Sequence, residues 1–475
     1  MRLLLVFVRV LGLGACGRVG FAPGGDGGEA TTGDGAIADD GVNLLPLDAP
    51  AGPSHFGTFP GTAAGRALAL VGPHQDLIIG GWISTAVDLG GGPLPVVGGN
   101  DLFIARFDTA GDFMWARTVG SMGGDTVNDV ATDAAENVYV AGFFGGPADF
   151  GNGVQLVPSG DTDAYLASYT GTGAFRWVHR IGTATVGALD SSHAVAVGPT
   201  EVVVTGLTHD TADAGGPPFT CNGASQAMFL AAYDLAGTHL WSRCYGNSSF
   251  ESARGVAIDP AGNIYITGYY GQSLSLGGAS LPSTQGLDAF VASFTSAGTF
   301  RWAHGFGGNS DDWGNKIAVD AAGNVTASGF FTGTTDLGGG PLTASGAADG
   351  YLVSYDTSGA FRWAKQIGGS GCDQARHVRV DAAGDVYVAG TFSNTANLGG
   401  PPLTASGPFD GFVGHLGPDG THRASFAVGG TLSDEAQDVI AIPGGLVVIG
   451  RTATSTSACP NAPDSPEGQL FLDRF

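Results

Sequence analysis

The sequence predicts an all-β protein, a seven-bladed β-propeller of four-stranded antiparallel blades. The main support is a repeat of about sixty residues, marked by a Gly that closes a Trp-Ala-x-x-x-Gly segment in the clearest copies. This Gly recurs at intervals of 63, 62, 64, 61, 61 and 61 residues, at Gly57, Gly120, Gly182, Gly246, Gly307, Gly368 and Gly429. Short alternating strands and Asp/Gly turns fill each interval, which is typical of propellers.

The unit 308–368 contains the four strands of one blade. Short apolar runs at 316–319, 325–331, 349–355 and 361–365 are separated by Asp/Gly turns and a longer Gly-rich loop, the pattern of antiparallel hairpins. We interpret the tryptophans that share one position of the fourth strand as packing anchors between sheets: Trp115, Trp177, Trp241, Trp302 and Trp363. The basic position two residues further, held by His179 and His304 among others, is expected to face solvent.

The two ends of the chain predict how the ring closes. The last unit begins at Gly430 and stops at Phe475, which aligns with the end of a third strand, so its fourth strand is missing. Residues 53–57 match the end of a fourth strand. The N-terminal segment is therefore expected to complete the last blade and to pair its open edge.

The repeated segments resemble a known family. Versions of AVDAAGNVYVAGxF, DLGGGPLTASGxxDxF and FRWAxxxG recur over nearly all of residues 54–475 and are similar to the bacterial β-propeller repeat called SBBP. The resemblance implies a propeller in a secreted or surface protein. It implies no chemistry, because one fold hosts many functions.

Charge narrows the class of partner. The chain has a net charge of −24, of which the first 53 residues contribute only six acids and three arginines. An acidic surface repels phosphate backbones, which argues against a nucleic-acid partner. Cations, basic proteins and neutral sugars stay compatible with it.

Residues 1–15 predict a lipoprotein signal peptide. Arg2 precedes an apolar run too short to span a bilayer, and the run ends in Leu-Gly-Ala-Cys16, which resembles a bacterial lipobox. The resemblance implies cleavage before Cys16 and a lipid on its sulfur. An ordinary secretory signal with an incidental Cys, or a mistaken start codon, are the alternatives.

Residues 16–53 are rich in Gly, Ala and Asp and predict a flexible acidic tether. The propeller of residues 54–475 would then lie outside the cytoplasm of a bacterium. A lipid anchor alone would hold it to the membrane, at the outer membrane or cell surface.

The direction of the strands places the connections between them on two opposite faces of the propeller. The tight turns after first and third strands form a short-turn face, and the longer loops after second and fourth strands form a long-loop face, where binding usually resides. On that face an acid recurs near the start of the first strand, and Ala64 replaces it in the first unit: Asp125, Asp190, Glu251, Asp312, Asp373 and Glu435. These carboxylates either accept loop N–H groups and brace the blades, or form a cation ring at the channel mouth for an ion such as calcium.

Ligand contacts are expected where the repeats differ. Three residues past the acid the units vary, with Ala67 in the first, and this set is the first candidate for ligand contact: Asn128, His193, Arg254, Asn315, Arg376 and Asp438. We expect Arg254 and Arg376 to pair with Glu251 and Asp373 of their own units.

Four cysteines remain once Cys16 is assigned to the lipid: Cys221, Cys244, Cys372 and Cys459. An even number favours disulfides in an oxidising compartment. Cys221 and Cys244 belong to one blade and predict a disulfide, which leaves Cys372 with Cys459. Free thiols or a metal site are the alternatives.

The sequence contains no G-x-S-x-G elbow, H-E-x-x-H motif or P-loop. The leading hypothesis is a non-catalytic, monomeric binding or scaffold module without a cofactor, which binds a surface protein or polysaccharide at the long-loop face. The alternative is a lyase or hydrolase that acts at the channel mouth. A third hypothesis gives the carboxylates a calcium ion that only stabilises the ring.

Overall fold

The computed structural model describes residues 57–221, 226–246, 250–278, 280–283, 285–453 and 468–475. In these residues, seven blades of four antiparallel strands follow one another around a ring, and no helix is present. The described residues accordingly contain no helix long and apolar enough to span a membrane. The hairpin of Thr211–Asp213 and Phe219–Thr220 pairs with Phe175–Thr183 and extends that blade's sheet to six strands. The predicted signal peptide, Cys16, the tether 16–53 and Cys459 lie outside the described residues.

We number the blades one to seven along the chain from Ala63, and the strands of each blade from the channel outward. The innermost strands are Ala63–Val71, Thr126–Thr132, Ser191–Val197, Glu251–Ile258, Trp313–Val319, Gln374–Val380 and Ser433–Ile442. The second strands are Asp76–Ile83, Val138–Phe144, Glu201–Thr208, Ile264–Tyr270, Val325–Phe331, Val386–Phe392 and Gly445–Ala453.

The third strands are Asp101–Phe107, Asp163–Tyr169, Ala227–Asp234, Asp288–Phe294, Asp349–Tyr355, Asp410–Leu416 and Gln469–Arg474. The outermost strands are Phe113–Val119, Phe175–Thr183, His239–Tyr245, Phe300–Phe306, Phe361–Ile367, His422–Val428 and, for blade seven, Gly57–Thr58. Small hairpins extend the second-to-third loops at Ala148–Asp149 with Gln155–Leu156, Thr211–Asp213 with Phe219–Thr220, Leu274–Ser275 with Ser280–Leu281, Thr334–Asp336 with Pro341–Thr343 and Thr395–Ala396 with Leu403–Thr404.

The ring closes as the sequence predicts. Gly57–Thr58 pairs antiparallel with the last strand, Gly57 opposite Leu472, and the Phe59 N–H donates to the Leu470 carbonyl at 2.9 Å. Phe59 is fully buried in a cluster that joins blades seven and one. The innermost strands of these two blades also touch, so the N-terminal segment completes blade seven.

Repeated Asp turns shape the short-turn face. Asp320 Oδ1 accepts the N–H groups of Ala322 and Asn324 at 2.9 and 2.8 Å, and Oδ2 accepts the Asn324 amide at 2.8 Å. An Asp side chain that satisfies the next backbone groups stabilises a tight turn. The same geometry recurs at Asp133 and Asp259, which explains the short connections.

The fourth-strand tryptophans join neighbouring blades, as the sequence predicts. Trp302 Nε1 donates to the Thr357 carbonyl of the next blade at 3.1 Å, and its ring lies on Gly359. The basic position two residues further does not simply face solvent, because His304 Nε2 bonds the Gly359 carbonyl at 2.7 Å and its ring stacks on Tyr355. Both side chains therefore bind one blade to the next.

Candidate functional site at the channel mouth

Every innermost strand carries a β-bulge at the same place, near the long-loop face. At a bulge one extra residue stays unpaired and its side chain is re-aimed. The seven bulge residues, which we call the mouth ring, are Arg66, Asn128, His193, Arg254, Asn315, Arg376 and Gln437.

The mouth ring is the accessible layer of this part of the channel wall. Six of its side chains are partly exposed although both chain neighbours of each are buried, and Asn315 is the buried exception. In Ala63–Val71 the partly exposed positions are Arg66 and Leu70, four residues apart, whereas strict alternation would open every second residue. The bulge is therefore what turns these side chains toward the channel.

The ring contains five of the six predicted ligand-contact residues and corrects the sixth. Gln437 occupies the bulge of blade seven, and Asp438 lies one residue further and is fully buried. In blade one the bulge residue is Arg66, not Ala67. Aligning on the end of a strand caused the error, since the innermost strand of blade seven is ten residues long and that of blade six is seven.

Two asparagines of the ring bridge to the next blade. Asn128 Nδ2 donates to the Ser192 carbonyl at 2.9 Å and lies 3.2 Å from Ser191 Oγ. Asn315 Nδ2 donates to the Ala375 carbonyl at 3.0 Å. These two positions therefore hold adjacent blades together at the mouth.

The arginines of the ring also reach forward to the next blade. The Arg254 guanidinium lies 5.2 Å from the centre of the Trp313 ring, within the range of a cation–π contact. Arg376 pairs with Glu435 at 3.6 Å and not with Asp373 of its own unit. The expected pairing of Arg376 within its unit is therefore wrong, because the side chain spans two blades.

One residue below the ring, charged side chains cross the channel. Lys316 Nζ of blade five lies 2.8 Å from Asp129 Oδ2 of blade two and 3.2 Å from the His193 carbonyl. Arg379 Nη2 pairs with Asp438 at 2.7 Å, and Asp438 also accepts the Leu68 N–H of blade one at 2.9 Å. These contacts form a floor beneath the mouth ring.

His193 is influenced by burial and by positively charged side chains of three other blades. Burial, with the charges of Arg254, Lys316 and Arg66, lowers the pKa of His193 to about 3. Its Nδ1 lies 3.0 Å from Ser252 Oγ. The imidazole is therefore neutral at physiological pH, although it lies at the centre of a charged site.

The recurring acids brace the loops behind the ring. Asp373 accepts the N–H groups of Gly369 and Ser393 at 2.8 and 3.3 Å, and Asp125 and Asp312 make the equivalent pairs of bonds. Asp190 accepts the Thr183 N–H at 2.8 Å. Glu251 is fully buried at the same position. These contacts favour the bracing interpretation of the acid series.

The brace of blade seven is Asp434, not the predicted Glu435. Asp434 accepts the Gly430 N–H at 2.8 Å and the Thr452 hydroxyl at 2.6 Å. The first unit has Ala63 at this position, where Ala64 was expected. Glu435 instead forms a bidentate pair with buried Arg451, at 3.0 and 2.9 Å.

Burial raises the pKa of Asp312 and Asp373 to about 7. In the part of the chain that the structure describes, no three His, Cys, Asp or Glu side chains are grouped so that they could hold a metal ion. The calcium hypothesis stays a prediction.

Disulfides fasten loops on this face. Cys221 and Cys244 are bonded within blade three, with Cα atoms 5.3 Å apart. Cys372 is also disulfide-bonded, and its predicted partner Cys459 lies outside the described residues. The bridges support long loops that have little secondary structure of their own.

Exposed large hydrophobic side chains concentrate on the long-loop face. Five lie in loops from a fourth strand to the next blade, and three lie in loops after second strands: Met122, Val186, Leu189, Phe250 and Leu432, then Val97, Val154 and Val157. The other such residues lie on outer strands, at Met114, Leu240 and Phe361. Among the residues described, no tight turn of the short-turn face carries one.

Comparison with known proteins agrees with this architecture. A family model described as Beta-propeller repeat, SBBP, matches residues 241–269. An uncharacterized WD repeat-containing protein of Acanthamoeba polyphaga mimivirus is 23% identical over 61% of this chain and 26% of its own length. The regulatory protein FlaEY of Caulobacter vibrioides is 26% identical over 57% of this chain and 29% of its own length. The matched region spans less than a third of either relative.

Two solved structures are similar to this chain at a low level. Sqt1 from Chaetomium thermophilum has 11% identity and a TM-score of 0.40, over 88% of this chain and 97% of that one. YCF48 bound to D1 peptide has 9% identity and a TM-score of 0.41, over 89% and 96%. At this level of similarity neither structure informs the function of this chain.

Proposed function

We propose that this seven-bladed propeller with SBBP-type repeats is a non-catalytic binding or scaffold module whose long-loop face docks a protein. The observation that carries the proposal is the distribution of exposed large hydrophobic side chains, eight of which lie on that face and none on the described tight turns. Exposed apolar groups concentrated on one face are typical of interaction surfaces.

The chemistry of this face favours a protein over a polysaccharide. Its exposed residues include Met122, Val186 and Leu189, which offer methyl and methylene groups. Burial of such groups against apolar side chains of a partner is favourable, whereas sugar hydroxyls placed against them would lose hydrogen bonds to water. The disulfide between Cys221 and Cys244 fixes loops on the same face.

The docking proposal is tested with two methionines of blade one. Met122 lies on the long-loop face and is 81% exposed, and Met114 lies on the outer strand and is 49% exposed. The full chain, Met122→Asp and Met114→Asp are each used to capture proteins from a native surface extract, and a captured protein is then purified and titrated directly.

We expect Met122→Asp to weaken the measured affinity by about tenfold, because a charge replaces an apolar contact. Met114→Asp should bind like the unchanged chain. Equal binding by all three proteins would contradict docking at the long-loop face, and circular dichroism melting shows whether each variant is folded.

We also propose that the chain acts outside the cytoplasm as a bacterial lipoprotein anchored through Cys16. The signal-like residues 1–15 and the cysteine that follows them support this proposal, as do disulfides, which persist in oxidising compartments. Radiolabelled palmitate should enter the full chain in cells and should not enter Cys16→Ala. An unlabelled full chain, or equal labelling of the variant, would contradict the anchor.

A further inference from the structure

We propose that a pocket on the short-turn face binds a small organic amine in its protonated, alkylammonium form. This activity is separate from the docking of a protein at the long-loop face. The pocket has a volume of about 250 Å³. It lies where the innermost strands of blades three, four and five end, and residues 197–199, 258–260 and 319–321 line it.

Apolar side chains form most of the pocket lining. Val197, Ile258 and Val319 are the last residues of the three innermost strands, and each is half-buried. Pro199 and Pro260 follow two of these strands and are exposed at the rim of the pocket. Together these side chains present methyl and methylene groups, against which the hydrocarbon part of a ligand would be removed from water.

Two carboxylates also line the pocket, and neither forms an ion pair with a described residue. Asp259 accepts hydrogen bonds only from neutral groups, which are two backbone N–H groups, the Asn263 amide and the Tyr265 hydroxyl. Asp320 accepts the equivalent three bonds within its own turn. These bonds fix the carboxylates in place, and the negative charge at the pocket has no cation to balance it.

Glu201 places a third carboxylate beside the pocket. The residue is 4% exposed, and its Oε2 accepts the Thr200 hydroxyl at 2.6 Å. Its Oε1 is buried and has no hydrogen-bond partner among the described residues. A Cβ built on Gly198, which lines the pocket, would lie 3.0 Å from this oxygen. A buried carboxylate oxygen without a donor is costly, and a positive charge in the pocket would offset that cost.

The size and lining of the pocket favour a free amine over other cations. A volume of about 250 Å³ is below the range of about 300–1,000 Å³ found for drug-sized ligands. A calcium ion would need about six to eight oxygen ligands, whereas this lining is mainly apolar. The described tight turns of this face carry no exposed large hydrophobic side chain, so a docked protein that inserts a lysine would find little apolar surface around the pocket.

The test uses hexylammonium as the probe and 1-hexanol and hexanoate as its controls, because all three have a six-carbon chain and differ in charge. Isothermal titration calorimetry measures their binding to the full chain at low and at high salt. Ala321→Lys places a positive charge at the pocket. Ala382→Lys is its matched control, because Ala382 is exposed at the same position of the corresponding turn in blade six and lies outside the pocket lining.

We expect hexylammonium to bind one site at least about tenfold more tightly than 1-hexanol, and hexanoate to bind more weakly than either. Ala321→Lys should weaken the binding of hexylammonium at least about tenfold, and Ala382→Lys should leave it unchanged. Added salt should weaken it in the unchanged chain. Equal binding of hexylammonium and 1-hexanol, or equal affinities of the two lysine variants, would overturn the amine site.

Glu201→Gln removes one of the three charges with little change of shape and should weaken the binding of hexylammonium by at least about threefold. An unchanged affinity in this variant would contradict the contribution of Glu201, and circular dichroism melting shows whether the variant is folded. If a peptide with one internal lysine binds the pocket and hexylammonium does not, the occupant is a protein side chain and the small amine is rejected. None of these outcomes decides the docking function, because Met122→Asp tests the opposite face.

Discussion

Lys316 is one of the residues that couple blades distant in sequence. It lies 187 residues from Asp129, and the two side chains meet at 2.8 Å with little exposure of either. A buried ion pair holds its position strongly, because removing one partner leaves the other charge without compensation.

Lys316→Met should therefore lower the free energy of unfolding by about 3–5 kcal/mol. Adding Asp129→Asn should recover part of the loss, with a coupling energy of about 1–3 kcal/mol in a double-mutant cycle. Urea unfolding gives both values. Lys365→Met, on an outer strand, is the control, and an equal effect of the two lysine substitutions would contradict the bridge.

Asp373 is a bracing acid whose contribution to the stability of the fold depends on pH. Burial raises its pKa from 3.8 to about 7, so the protonated carboxyl contributes its stabilisation fully below pH 3.8. That contribution is lost as the pH rises through about 7. Asp373→Asn should consequently cost more free energy of unfolding near pH 5 than near pH 8.

Asp356 supplies the control for this pH effect. It lies in an exposed turn, and its hydrogen bond from Ser358 holds its pKa below the ordinary value. The cost of Asp356→Asn should therefore be constant between about pH 5 and pH 8. A cost of Asp373→Asn that is equally independent of pH would show that its carboxyl is ionised throughout this range.

At the scale of the element, the bulge decides which residues the channel presents. The repeat predicts the strands and turns because hydrophobic alternation and Asp/Gly turns are local features of the sequence. A bulge depends on how two strands pair, so Arg66 and Gln437 were missed. Counting eight residues from the repeated Gly, as from Gly368 to Arg376, would have found Gln437.

The partner of Arg376 was beyond sequence reasoning for a related physical reason. A repeat unit considered by itself offers only its own acids, of which Asp373 is the nearest to Arg376 along the chain. In the ring, the mouth of one blade contacts the first strand of the next. Glu435 is therefore close in space although 59 residues separate it from Arg376 along the chain.

The contact between a fourth-strand Trp and the following blade can be tested by adding a single methyl group. Gly359 has φ of +88°, and a Cβ built there would lie 2.8 Å from the Trp302 ring. Gly359→Ala should lower the free energy of unfolding by about 1–3 kcal/mol.

Gly333→Ala is the control for this prediction, since Gly333 has φ of +68° and open space around its Cα. It should show the backbone cost alone, about 1 kcal/mol. The difference between the two thermal midpoints measures the contact with Trp302. Equal midpoints would mean that the Trp ring moves aside without cost.

At the scale of the whole molecule, ring closure makes seven sheets one unit. Phe59 is fully buried between blades seven and one and packs on Phe107 with ring centres 6.5 Å apart. Phe59→Ala should lower the free energy of unfolding by about 3–5 kcal/mol and shift a single cooperative transition in calorimetry. Phe361→Ala, at a partly exposed outer position, should shift the transition far less. A second, separate transition in Phe59→Ala would contradict closure of the ring through blade seven.

The central claim concerns the whole ring. It states that the proposed partner contacts the long-loop face and not the short-turn face. Site-specific photocrosslinking in intact cells tests it most directly, with benzoylphenylalanine placed at Met122 or Phe250 on that face and at Ala321 or Ala382 on exposed tight turns. We predict a crosslinked protein of the same mass from Met122 and from Phe250, and none from the two turn positions. Adducts from the turn positions alone would contradict the account.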